Sequence, residues 1–144
     1  MPDTRIPDTV KPMLITEREI TVNLVTAESA LSSVGISPEI VKLDIQGAEL
    51  EALKGFGELL RSVICIEMEV SFMRAYQDQP LVGNLYDFMF DAGFGLFDLK
   101  LFGVAGTRNS IEANAFFCRR ELASDRQKAI EKLFMGANDF SYRP

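Results

Sequence analysis

An α/β sheet, mostly parallel and closing in an antiparallel hairpin, is the fold class this sequence predicts, and three observations carry it. Strand-like and helix-like segments alternate along the chain in the order strand, helix, strand, helix, strand, helix, strand, strand, helix. Ile40, Val41, Leu43 and Ile45 form an apolar, largely β-branched run, and beyond Gly47 the spacing of Ala48, Leu50, Ala52, Leu53 and Phe56 turns helical without an intervening proline. The last two strand-like segments are joined by the short loop 103–110, which suits an antiparallel pair because a parallel crossover needs a dozen or more residues.

Residues 1–13 carry Pro2, Pro7 and Pro12 among polar residues and read as an extended N-terminal segment, ahead of a single domain over residues 14–144. Ile20, Val22 and Leu24 alternate with Thr21 and Asn23, which predicts a strand over 20–25. A short helix follows over 26–34 and closes at Gly35. Ser37-Pro38 turns the chain into the strand that leads to Asp44. The helix after it runs to about residues 60–62, with Gly55 and Gly57 weakening its continuity.

Residues 63–70 form the next strand, and its alternation puts Glu67 and Glu69 on one face with Ile66, Met68 and Val70 on the other. Leu81, Leu85, Phe88, Met89 and Ala92 then recur at helical spacing, and Gly93 stops that helix. Strands over 94–102 and 112–119 complete the sheet. A last helix over 124–135 has Ser124 and Gln127 in capping-box positions.

With 47% hydrophobic and 25% charged residues in 144, the chain has the composition of one folded domain. A formal charge of −6 argues against a surface that tracks phosphates, so nucleic acid is not the expected partner. No apolar run reaches transmembrane length and no signal-type core follows the N-terminus, so no membrane partner and a cytoplasmic location are expected. The chain has no histidine, which leaves proton transfer to carboxylates, Lys, Tyr or Cys. Cys65 and Cys118 lie in separate apolar runs without metal-ligand spacing, and read as two buried reduced thiols with no metal site.

The strand-end rule for open α/β sheets puts Asp44 beside a ligand crevice, although a carboxylate there also suits a cap on the helix that follows. Gly47 fits a turn approached closely by another group, and equally a plain helix entry. Glu49 lies in the helix's first turn, where negative charge is favoured with or without a ligand. Glu67 and Glu69 are costly to bury unpaired, so they face solvent at a strand end or a cation or substrate. As close neighbours they would also raise each other's pKa and make one a proton acceptor. Arg74 and Tyr76 follow in a polar loop that would cover the crevice mouth. Gly55-Phe56-Gly57 follows a helix rather than a strand and reads as a helix end, not a phosphate cradle.

Lys42-Leu43-Asp44-Ile45-Gln46-Gly47-Ala48-Glu49-Leu50-Glu51, followed by Leu53-Lys54-Gly55 and by Val63-Ile64-Cys65-Ile66-Glu67-Met68-Glu69-Val70-Ser71-Phe72, resembles the later half of the FkbM family of S-adenosylmethionine-dependent methyltransferases. The resemblance implies a Rossmann-like methyltransferase sheet with its later strands spanning roughly residues 20–119 and its early strands missing. It also implies S-adenosylmethionine as cofactor, bound by Asp44 and Gly47, with Asp44 and Glu67 in the catalytic role. Glu69 and Tyr76 would then face a small-molecule substrate, a hydroxyl-bearing sugar, polyketide or related metabolite that is methylated on oxygen.

The family's glycine-rich turn after the first strand and its acid after the second are not visible before Asp44. Thr26-Ala27-Glu28 stands where the family shows Thr-Leu-Asp, and Gln46 where Glu is common. Weak cofactor binding by this chain alone, or none, is therefore expected. A catalytically silent remnant or interaction module lacking the cofactor-binding half is the alternative, and a site for a different small ligand is a third. Missing early strands would also leave a sheet edge open to pairing with a second copy of the chain.

Overall fold

The computed structural model describes residues 15, 18–76, 78–103, 110–121, 125 and 129. The elements are helix α1 (Ala27–Ser33), strand β1 (Ile40–Leu43), helix α2 (Glu49–Lys54), a 3-10 helix (Gly57–Arg61), strand β2 (Cys65–Ser71), helix α3 (Val82–Asp91), and strands β3 (Phe94–Gly103) and β4 (Ser110–Arg119). The four strands form one sheet in the order β1-β2-β4-β3. β1 and β2 run parallel, and β4 inserts antiparallel between β2 and β3.

Alternation decides which face becomes the core. Val41, then Ile66, Met68 and Val70, then Ala113, Ala115 and Phe117 point to the same side and are buried there with Leu53 of α2, Leu60 of the 3-10 helix, and Leu85 and Met89 of α3. Each fully buried large side chain in this layer contributes roughly 1.5–3 kcal/mol through removal of apolar surface from water. Arg119 fastens the helices to the sheet at the far end, where its guanidinium lies 4.5 Å from the Phe94 ring centre. It donates to the carbonyls of Val63, Leu60 and Ala92, which close the 3-10 helix and α3.

Most predicted elements stand within a few residues of their expected places, and two differ. The segment 20–25 forms no strand, and Ile20, Val22, Leu24 and Val25 are 60–90% exposed. Period-two alternation only sorts side chains to two faces. The ladder needs a partner, and β1 lies at the sheet edge without pairing to this segment. The sheet accordingly has one parallel pairing and two antiparallel ones among the described residues.

The helix after Asp44 is the second difference, because α2 stops at Lys54 and the chain resumes as a tighter 3-10 turn. Gly57 adopts φ +51°, and a Cβ there would collide with the Glu28 carboxylate. Glu28 Oε1 in turn accepts from the Glu58 N–H at 3.0 Å, so the break is where α1 docks. The Thr26 hydroxyl caps α1 by accepting from Ser29 N–H at 3.1 Å, and Gly35 ends it at φ +69°. The extended segment expected over 1–13, the loop 104–109 and nearly all of the helix expected over 124–135 lie outside the described residues.

Candidate functional site

The parallel register sets the level of each acidic residue. Lys42 pairs with Glu67 and Leu43 with Met68, so the next residue, Asp44, stands level with Glu69 at the carboxyl end of both strands. The chain then leaves β1 through two left-handed residues, Gln46 at φ 53° and Gly47 at φ 98°. A non-glycine residue at positive φ is uncommon and costs energy unless its surroundings hold it there.

Glu49 supplies that hold. Its carboxylate is 3% exposed and accepts from the N–H groups of Ile45 and Gly47, each at 3.0 Å. Charge-assisted bonds of this kind are roughly twice as strong as neutral ones. Glu49 thus pins the turn ahead of α2, and the capping role open to Asp44 is left untaken. α2 has no side-chain N-cap bond, and Asp44 stays exposed.

Gln79 closes the other side. Its Oε1 accepts from Ala75 N–H at 2.8 Å and Tyr76 N–H at 3.1 Å, while its Nε2 donates to Ser71 Oγ at 2.7 Å. Gly47 packs so closely on Gln79 that a Cβ would lie 3.1 Å from its Cγ, which explains the glycine as a close approach of backbone to side chain. Arg74 Nε donates to the Gln79 carbonyl at 3.3 Å and so braces the same loop.

Three carboxylates meet across this frame. Burial pushes the Glu69 carboxyl up to about 7, reinforced by the charge of Glu112 and a hydrogen bond to it, and then by Asp44 in the same two ways. Gln46 Nε2 bridges two of them, donating to Glu69 Oε2 at 3.0 Å and reaching Asp44 Oδ1 at 3.4 Å. The Tyr76 hydroxyl donates to Gln46 Oε1 at 3.1 Å, and burial followed by the charges of Glu112 and Glu69 raises its pKa. Gln46, Glu69, Glu112, Ser71 and Gln79 enclose a crevice of about 10 Å³, room for about one water molecule.

Of the residues singled out from sequence, Asp44, Gly47, Glu49, Glu69 and Tyr76 come together here, with Arg74 bracing the loop. Glu67 does not line the crevice. It sits one alternation step back, where its Oε1 lies 3.5 Å from Lys42 Nζ and accepts from Asn114 Nδ2 at 3.3 Å. The acids that raise Glu69 are accordingly Glu112 and Asp44 rather than the expected Glu67. Glu112 was missed because its place depends on the β2–β4 register, which sets it opposite Ser71. Gln79 was missed because its amide acts on backbone groups and carries no motif. Among the described residues, no group of three or more His, Cys, Asp or Glu side chains is arranged to hold a metal ion. No described helix is long and apolar enough to cross a membrane.

Comparison with known proteins gives one match. The family model described as the methyltransferase FkbM domain matches residues 12–96, more than half of the chain, and takes in β1, α2, β2 and α3 but not Glu112. No curated protein and no solved structure matches.

Proposed function

This chain belongs to the FkbM methyltransferase family, and from that premise we propose that it serves S-adenosylmethionine-dependent methyl transfer to a hydroxyl oxygen of a small metabolite or sugar. The observation that carries the reading is the convergence of Asp44, Glu69 and Glu112 beside the Gln46–Gly47 turn at the carboxyl end of the parallel pair. Ligands of open α/β sheets bind at that end.

S-adenosylmethionine, when bound, supplies an electrophilic methyl group on a positively charged sulfonium. The donor set fits that charge. Asp44 and Glu112 place negative potential at the crevice, and carboxylates close to a cation in a partly dry site are worth more than in water. The space in this crevice, one water's worth, fits a wall of the cofactor site rather than its whole enclosure. Asp44 and Gly47 would hold the sulfonium side of the cofactor.

Glu69 is the group we assign to the proton. Gln46 Nε2 orients its Oε2, and Oε1 accepts the substrate's hydroxyl proton. A base whose pKa lies near the working pH balances ionised fraction against proton affinity, and about 7 meets that condition. The role expected for Glu67 passes to Glu69 in this proposal, because Glu67 is already held by Lys42 and Asn114. Tyr76, tied to Gln46, borders the substrate side.

The test is a pair of NMR titrations of the 144-residue chain at pH 8, where Glu69 is ionised, with S-adenosylmethionine and with its uncharged thioether product, S-adenosylhomocysteine. Binding is expected to be weak, centred on the Ile45–Gly47 amides, and tighter for the sulfonium. Asp44→Asn should lower sulfonium affinity by about tenfold, equivalent to about 1.4 kcal/mol, while leaving thioether affinity nearly unchanged. If neither nucleoside moves those amides, the chain is the silent remnant and the proposal fails.

A further inference from the structure

Cys65 opens β2 and Cys118 lies near the end of β4, and the antiparallel register sets them directly opposite each other. The Arg119 N–H donates to the Ile64 carbonyl at 2.9 Å, while the Cys65 N–H turns away from β4 to the Glu39 carbonyl at 3.2 Å. The pair Cys65 and Cys118 is therefore of the non-hydrogen-bonded kind, in which facing Cα atoms lie about 4.5 Å apart and side chains approach most closely. That spacing falls inside the range that disulfides bridge. The two Sγ atoms are 3.0 Å apart, about 1 Å more than a sulfur–sulfur bond. Both side chains are buried, packed with Ile64 in a cluster separate from the main core and from the carboxylate site.

We propose that Cys65 and Cys118 are the site of an intrachain disulfide, a covalent cross-link between β2 and β4 formed with a hydroperoxide as oxidant. One thiol sulfur takes oxygen from the peroxide to give a sulfenic acid and an alcohol, or water when the oxidant is hydrogen peroxide. The second thiol then attacks that sulfur, the sulfur–sulfur bond forms and water leaves. Two electrons pass to the peroxide overall. The hydrogen bond with Cys118, then burial, holds Cys65 in the thiol form, so the cross-link forms slowly and serves as a durable brace rather than a fast sensor.

The brace has a specific target. Further along the same ladder Glu69 faces Asn114 and Ser71 faces Glu112, so a covalent tie at the Cys65 end fixes the register that brings Glu69 to Glu112. The cross-link rests on geometry alone and stands whether or not the methyltransferase reading does.

The experiment treats the native chain with hydrogen peroxide, alkylates remaining thiols under denaturing conditions, and maps peptides by mass spectrometry alongside thermal melts. The expected result is a monomer lighter by two hydrogens with a Cys65–Cys118 linked peptide. The expected rise in Tm is about 10 °C, because the bond closes a long loop in the unfolded chain. A reductant should reverse both, and Cys65→Ala should show neither. Oxidation that yields only sulfinic or sulfonic acids or intermolecular dimers, or a linked peptide with an unchanged or lower Tm, overturns the proposal.

Discussion

Stability should fall as pH rises through neutrality because of one side chain, Glu69. Its carboxyl ionises at about 7 in the folded protein against an ordinary 4.5, so over that interval the folded state keeps a proton that the unfolded state has released. The sign follows directly. Below 4.5 both states are protonated and the contribution is fully present, and it is lost as pH climbs through about 7. The interval is two and a half pH units, and at about 1.36 kcal/mol per unit the ceiling is about 3.4 kcal/mol. Glu69 is only partly buried, so solvent screening lowers the expected effect to about 1–2 kcal/mol. Urea denaturation at half-unit steps from pH 4.5 to 8, for the wild type and for Glu69→Gln, reads it, since the amide cannot ionise while carboxylates outside the Asp44, Glu69 and Glu112 cluster titrate equally in both. The wild type should lose about 1–2 kcal/mol relative to the variant across the window. Glu112→Gln should move the drop toward lower pH. A difference between wild type and Glu69→Gln that is flat, or that grows in the wild type's favour as pH rises, refutes the reasoning.

Two further outcomes separate the frame of the site from its chemistry. Glu49→Gln replaces a buried acceptor of two backbone N–H groups with an amide that opposes one of them, and should cost about 3 kcal/mol as a lower urea midpoint at unchanged slope; a cost below about 1 kcal/mol would mean the Gln46–Gly47 turn holds without it. Glu67→Gln should change stability by no more than about 1 kcal/mol, because Lys42 is largely exposed, and should leave the sulfonium-induced shift of the Gly47 amide intact. Loss of that shift would return the site role to Glu67.

Periodicity located the strands and α3 well because each buries one face, and burial is what apolar spacing encodes. It failed where a partner decides. Residues 20–25 alternate correctly yet pair with no strand among the described residues, and although Gly55 and Gly57 marked a weak point in the helix after Asp44, only the fold shows Glu28, well upstream, packed beside Gly57. The site divides in the same way. Asp44, Gly47 and Glu69 were legible because a strand end followed by a glycine turn is local. Alternation also put Glu67 and Glu69 on one face, but only the β1–β2 register shows that Glu69, not Glu67, stands level with Asp44. Glu112 and the facing of Cys65 on Cys118 both depend on the β2–β4 register, which no short stretch of sequence contains.

The contrast between the two β2 glutamates bears on the proposal that this edge of the sheet receives a cation. Glu67 and Glu69 share a strand, a face and a residue type, yet Glu67 lies beside the Lys42 ammonium while Glu69 receives the neutral amide of Gln46. An amide donates a hydrogen bond without cancelling charge, so Gln46 orders Glu69 and Asp44 and leaves their negative potential in place. A carboxylate at position 46 would add a third like charge within hydrogen-bond reach of both and would turn a donor into a repeller. Burial, and then repulsion from Glu112 and Asp44, keeps the proton on Glu69 to about 7. A ligand that carries positive charge to this crevice relieves the repulsion and releases that proton, so its binding should tighten as pH rises through 7, opposite in direction to the stability of the unliganded fold.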